Sequence, residues 1–242
     1  MSDLESLSNE LGVSQSTVRR DLESLETRGL VKRTHGGVIW VGERVDGVGA
    51  TAGRPYAFDQ RMSYEVDAKR AIARAAAKLV RPGQTVLIDG GTTTFHLAQE
   101  LLGRSIQLVT NSLPIANLFL NDEHVELILT GGLLYPRYGV LLGPMTEQFI
   151  GTIHTKTLFM SVAGVNDGIL YNQNMLLVHA EQKMMKQAQQ TVLLADAGKF
   201  GQQALAKLCE LSEVDVVVSD GRLSRENREH VRAAGCELMI AD

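Results

Sequence analysis

Cysteine is nearly missing from this chain, long apolar runs are missing altogether, and no excess of positive charge runs through it. The two cysteines, Cys209 and Cys236, lie far apart and have no CxxC or CxxH companion. That argues against a disulfide framework or a thiolate metal site and fits a reducing compartment. No apolar stretch approaches the roughly 18 residues of a membrane span, and the opening MSDLESLSNE is too polar and acidic for a secretory leader. A soluble, cytoplasmic protein without membrane contact is expected. Lys and Arg number 24 against 28 Asp and Glu, giving a formal charge of -4. Any contact with nucleic acid must therefore come from a local patch. Internal repeats and low-complexity tracts are also lacking.

What is present suits a folded core: 44% of the 242 residues are apolar and 21% charged. Three regions separate along the chain. Residues 1–40 read as a short helix carrying Leu4, Leu7 and Leu11, a stop at Gly12, a second helix capped by Ser14, and two small strands around His35-Gly36-Gly37. In the second helix Val18, Leu22 and Leu25 form the stripe to be buried. Residues 41–58 are Gly-rich and aperiodic, as in a linker. Residues 59–242 open with a helix over 59–80 and then alternate apolar strands with helices. Strands are expected at 85–89, 106–110, 125–130, 157–164, 191–196, 214–220 and 236–241, with helices over 93–102, 112–121, 178–189 and 222–233. Several strands are apolar on both faces, the mark of a parallel sheet covered on both sides.

LGVSQSTVRRDL, residues 11–22, has the spacing of a helix-turn-helix. Its second helix presents Ser14, Gln15, Ser16, Thr17, Arg19 and Arg20. Arginine and glutamine can read base edges, and hydroxyls suit phosphate oxygens. Between Ser14 and Gly37 stand five Lys or Arg and three acids, so the acidic remainder does not forbid a basic contact face. The tip with Arg33 and His35 has the make-up of a wing lying along the duplex. By itself the pattern also fits a solvated amphipathic hairpin with arginines on its surface.

In the α/β region the turns at strand ends carry the chemistry. LIDGGTTTF places Asp89, Gly91, Thr92, Thr93 and Thr94 between a strand and a helix. Backbone amides, hydroxyls and the helix N-terminus there could cradle a phosphate, or merely cap a strand-to-helix turn. The Gly-Lys-Ser/Thr of a P-loop and the spacing of GxGxxG are missing, so nucleotides are poor guesses. Asn111 and Ser112 follow the next strand, and Gly131 and Gly132 the one after, with Arg137 nearby. Asp196 and Lys199 stand at a later strand end; Lys199 alone would read as surface charge, but a fourth polar turn beside three others points to a ligand. Open α/β sheets bind ligands at the carboxyl ends of their strands, where such turns converge. Asn172 to Asn174 could close over a sugar or cap the following helix. His179 and Glu181 face different ways on a helix, and the other histidines have no companion at ligand spacing. Neither a metal nor a cofactor is expected.

LSNELGVSQSTVRRDLESLETRGLVKRTHGGV resembles the winged helix-turn-helix of the DeoR family of bacterial sugar-metabolism repressors, in its Thr-Val-Arg-Arg-Asp-Leu and His-Gly-Gly elements. The later turns resemble that family's effector domain in order: Asp89 to Thr93, Thr110 to Ser112, Thr130 to Gly132, and Asp196 to Gly201. The resemblance implies a winged helix-turn-helix with its first helix absent, followed by a mostly parallel α/β domain related in fold to ribose-5-phosphate isomerase and glucosamine-6-phosphate deaminase. It further implies an operator in double-stranded DNA, a phosphorylated sugar as effector, and a homodimer or homotetramer. Three positions depart from the family pattern: Tyr135 stands near the place of an arginine, Gly198 replaces a serine, and Lys156 replaces an acid. The competing readings are a sugar-phosphate isomerase or deaminase, for which no acid–base pair stands at a convincing spacing, and an effector-binding protein without a DNA role.

Overall fold

The computed structural model describes residues 13–27, 31–34, 37–40 and 58–242. The chain divides into two compact units, 1–51 and 52–242. The helix expected around Leu4, Leu7 and Leu11, the tip residues His35 and Gly36, and linker residues 41–57 lie outside the described residues.

In the first unit α1 (Gln15–Thr27) begins where the sequence places a cap. The Ser14 hydroxyl accepts from the Thr17 amide at 3.2 Å, which satisfies one of the amides that a helix start leaves open. Val18 and Leu22 are buried, one helical turn apart, while Gln15, Ser16, Thr17, Arg19 and Arg20 are exposed. Strands β1 (Val31–Thr34) and β2 (Gly37–Trp40) pair antiparallel, Thr34 opposite Gly37.

The second unit opens with α2 (Phe58–Met62) and α3 (Val66–Ala77). The single helix expected over 59–80 is broken at Glu65, whose backbone is left-handed at φ 52°. At the break the Arg61 carbonyl accepts from the Tyr64 amide and from the buried Lys69 ammonium one turn into α3. Phe58, at the edge of the expected linker, packs edge-on against Phe95 and donates its amide to the Arg137 carbonyl.

Seven strands form one parallel sheet: β3 (Thr85–Ile88), β4 (Ile106–Thr110), β5 (Val125–Leu129), β8 (Thr155–Met160), β11 (Ala188–Leu194), β13 (Val216–Asp220) and β14 (Glu237–Ala241), in the order β14-β13-β11-β8-β3-β4-β5. Side chains alternate between its faces because a strand has a two-residue period. Val86, Ile88, Leu108, Phe159, Val192 and Val216 face one core, under α3, α4 (Thr92–Glu100) and α5 (Leu113–Leu118). Leu87, Val109, Leu158, Met160, Leu193 and Val217 face the other, under α6 (Pro144–Ile150), α7 (Met175–Gln187) and α8 (Arg225–Ala233). Where both faces are buried, as in β3, β13 and the second half of β11, the strand reads as an apolar run.

Two smaller sheets complete the unit. β6 (Leu133–Tyr135) and β7 (Val140–Leu142) form a hairpin, and β9 (Gly164–Asn166), β10 (Ile169–Asn172) and β12 (Ala206–Glu210) an antiparallel trio. The strand expected over 157–164 is thus two strands in two sheets: it leaves the main sheet at Met160, and the chain pairs again from Gly164. Among the described residues no helix is long and apolar enough to cross a membrane.

Candidate functional site

The strand order sets the carboxyl ends of β11, β8, β3, β4 and β5 in one row, so that four turns singled out in the sequence end along one rim. A hollow opens there, and Arg61, Gly90, Tyr138, Ser161, Glu181 and Lys199 are among its walls. Its free volume is about 50 Å³, room for a few waters.

Of the expected ligand residues, Lys199 lines the hollow directly. It ends a single 3-10 turn whose first amides are tied down by carboxylates. Asp196 Oδ1 accepts from the Gly198 amide at 3.0 Å and Asp220 Oδ2 from the Ala197 amide at 2.8 Å. Asp89 is buried just beyond β3, and Asn111 is buried beyond β4. Gly90 forms part of the wall, while Gly91 stands behind it: a Cβ there would collide with the Ser161 hydroxyl. The absent side chain is what lets the ends of β3 and β8 approach so closely.

The three threonines are buried at the start of α4, and the Thr94 hydroxyl donates to the Gly91 carbonyl at 3.0 Å. Ser112 caps α5, its Oγ accepting from the Ile115 amide at 3.4 Å. Gly131, Gly132 and Arg137 are not among the walls of the hollow. The Gly131 carbonyl accepts from the Thr146 hydroxyl at 2.6 Å, and Gly132 turns the chain into the β6–β7 hairpin at φ +135°. Arg137 is exposed, and its neighbour Tyr138 is buried against the hollow.

Arg61, Tyr138, Ser161 and Glu181 are wall residues outside the expected set. The Arg61 guanidinium lies 4.8 Å from the centre of the Tyr138 ring, a cation–π contact. Its Nε and Nη2 are buried without a hydrogen-bond partner. Burial lowers its pKa, with the Tyr138 and Asp89 charges acting the other way, yet a guanidinium remains charged at any working pH. Lys69 stands behind it; burial first, and then the Lys199 charge, push its pKa down to about 8. Arg61, Lys69 and Lys199 thus form a crowded cationic group.

A carboxyl pair forms the other half. Glu181 is fully buried, and α7 brings it close enough to Asp89 for each to act on the other's ionisation. Burial raises Asp89 to about 6, against the opposing pull of the Gly90 amide, Arg61 and Asn111. Glu181 is raised further, by burial first and by the Asp89 charge second. Two buried carboxyls this close cannot both ionise cheaply. Glu181 carries a signal in the sequence: it lies on the same buried stripe of α7 as Leu177, Val178 and Met184, where an acid is out of place unless partnered. Its neighbour His179 is exposed. Asn174 does cap α7, accepting from the Leu176 amide at 2.8 Å, but Asn172 turns to the carboxyl pair.

Among the described residues no group of three His, Cys, Asp or Glu could hold a metal. In the first unit, Ser14 to Thr17, Arg19 and Arg20 form the exposed side of α1, opposite Val18 and Leu22.

The described residues thus give a capped helix and a two-stranded ribbon in the first unit, and a parallel α/β unit with a polar hollow at its strand ends in the second. Two family profiles match: the DeoR-like helix-turn-helix domain over residues 2–44 and the DeoR C terminal sensor domain over residues 64–221. The HTH-type transcriptional regulator GlpR of Haloferax volcanii is 36% identical over 238 residues, covering 98% of this chain and 90% of that protein. The HTH-type transcriptional regulator UlaR of Shigella dysenteriae serotype 1 is 30% identical over 237 residues, covering 98% and 91%. Among solved structures, ribose 5-phosphate isomerase A of Methanocaldococcus jannaschii matches 56% of this chain and 55% of that one, with a TM-score of 0.42 and 17% identity. The chain belongs to the DeoR family of transcriptional regulators; it is a regulator and not an enzyme.

Proposed function

We propose that this protein represses a carbohydrate-catabolic operon as a homodimer or homotetramer, and leaves its operator when a phosphorylated sugar fills the hollow of the second unit. The observation that carries the reading is the division of the hollow's walls, with crowded cations at Arg61 and Lys199 and hydrogen-bonding groups at Ser161, Asn172 and Glu181, the last raised by its buried neighbour Asp89. A phosphate dianion relieves the first, and sugar hydroxyls pair with the second. The turn residues Gly91 and Thr92 to Thr94, Ser112, and Gly131 and Gly132 shape the rim, and Arg137 flanks its mouth.

In the first unit Gln15, Arg19 and Arg20 read base edges, and Ser14, Ser16 and Thr17 contact phosphates, with Arg33 and His35 on the wing. Paired heads on an oligomer read paired half-sites. Release is linkage: a ligand that favours the DNA-incompetent arrangement lowers operator affinity by its differential affinity, typically about 1–3 kcal/mol or 5- to 150-fold.

The test uses DNA selected from a randomised pool by the full chain. Arg20→Ala should lose that DNA at moderate salt while keeping its thermal shift with sugar phosphates. Lys199→Ala should bind the DNA normally and resist release. An Arg20→Ala protein that binds as wild type, or a Lys199→Ala protein that releases normally, refutes the corresponding half.

A further inference from the structure

We propose that Glu181, held by Asn172 at the wall of the hollow and backed by the buried Asp89 and Asn111, presents an acceptor-rich face that reads the hydroxyl groups of a neutral sugar or polyol phosphate and turns away phosphorylated sugar acids. The inference rests on the sugar-phosphate reading of the hollow given above and adds which ligands it admits.

This face is fixed from one end. Asn172 Oδ1 accepts from the Ala163 amide at 3.0 Å, so its Nδ2 points to Glu181 Oε1, at 2.6 Å. Turning the amide over would set an oxygen against a carboxylate and an N–H against an N–H, so the register is locked. Asn172 is the positioning residue, and one oxygen of Glu181 is committed to it. The other oxygen, Oε2, is buried and has no donor; the same holds for Asp89 Oδ1 and Asn111 Oδ1. Glu181 and Asp89 are close enough for each to shift the other's pKa, and Asn111 acts on Asp89 as well. Of these three buried acceptors Glu181, on α7, lines the hollow, and Asp89 and Asn111 are buried at the ends of β3 and β4. One proton shared by the two carboxyls serves two of them.

A ligand that fits must bring hydrogen-bond donors and no negative charge at this end. Hydroxyl groups do that, and each can also accept the shared proton. A carboxylate brings no donor and adds a further negative charge beside the carboxyl pair. An ammonium brings donors, but Arg61 and Lys199 line the same small hollow, so it meets like charge. Sites built around buried hydrogen-bonding groups reject a ligand lacking the matching partner more strongly than sites built on shape alone.

The test is isothermal titration of the full chain with matched pairs differing only at the carbon farthest from phosphate: erythritol 4-phosphate with 4-phosphoerythronate, ribitol 5-phosphate with 5-phosphoribonate, and glucitol 6-phosphate with 6-phosphogluconate. Glucosamine 6-phosphate against glucose 6-phosphate tests the ammonium. At whichever chain length binds, the alditol phosphate should bind at least tenfold tighter than the aldonate, and the amino sugar should show no advantage over its neutral parent. Glu181→Gln, which keeps the shape but removes one carboxyl, should narrow the alditol–aldonate gap at least fivefold. An aldonate that matches or beats its alditol in the wild-type protein overturns the proposal, as does an amino sugar that binds better, whether or not the variant folds. Binding of none of these phosphates would instead remove the sugar-phosphate reading beneath it.

Discussion

Replacing Asp89 with asparagine should change how stability depends on pH, and the size of the change follows from its burial. The residue is 1% exposed, and its carboxyl is raised from the ordinary 3.8 to about 6. The folded state therefore holds this proton more tightly than the unfolded chain does. The stability due to Asp89 is fully present below pH 3.8 and is lost as the pH rises through about 6. At ~1.4 kcal/mol per pH unit, that interval corresponds to about 3 kcal/mol, of which about 2–3 kcal/mol falls between pH 4 and pH 7.5. Asp89→Asn is neutral throughout and lacks this loss. Glu181 is raised in the same direction, and part of its rise comes from the Asp89 charge, so the variant relieves Glu181 as well and the figure is a lower bound. Urea unfolding of the full chain, followed by circular dichroism at several pH values, gives the comparison as a difference between two proteins. Titrations elsewhere in the fold then cancel. Curves that run parallel within about 0.5 kcal/mol would mean that Asp89 is not forced to hold its proton, and the account of the carboxyl pair would fail.

Phe159 lies at the centre of the main sheet and is fully buried among Ile88, Val192 and the α3 alanines. Phe159→Ala should cost about 3–5 kcal/mol from lost burial and the cavity left behind, read as a shifted urea midpoint at unchanged slope. Gly132→Ala should cost about 2–4 kcal/mol, because its backbone is at φ +135° and a Cβ would collide with Thr146 Oγ1 and approach the Leu142 carbonyl to 2.8 Å. Gly103→Ala is the control: it too has a positive φ, +73°, but meets nothing within 4 Å, and should cost only about 1 kcal/mol. Equal losses at the two glycines would refute the steric part of the argument.

The main sheet is legible in the sequence because its central strands are buried on both faces and stand out as apolar runs between helices. The same property hides where a run ends: apolar residues continue past Met160 through Val162 and Ala163 into a second sheet, and periodicity cannot mark the change of partner. The short strands β9, β10 and β12 and the β6–β7 hairpin are three to five residues long, too short for a pattern to show. The helix break at Glu65 escapes notice because neither proline nor glycine marks it. What holds it is a tertiary contact, Lys69 on the Arg61 carbonyl. In the site, the turns at Asp89, Asn111 and Lys199 are legible since turn residues punctuate strand ends. Arg61 and Tyr138 come from a separate helix and from the loop of a hairpin, and only the folded chain brings them to that rim.

The polar groups that make the hollow selective also make it costly to leave empty. Unpaired buried acceptors each cost about 1–3 kcal/mol, and here they sit opposite cations that repel one another. A regulator turns such a cost to use. A ligand shifts an equilibrium only by the difference in its affinity for the two states, and that difference is largest where the unliganded site is worst satisfied. On the proposed reading, filling in Glu181, Asp89 and Arg61 with better-packed apolar side chains would raise the stability of the sensor unit and abolish the response, because the same atoms supply both the strain of the empty site and the energy of the switch.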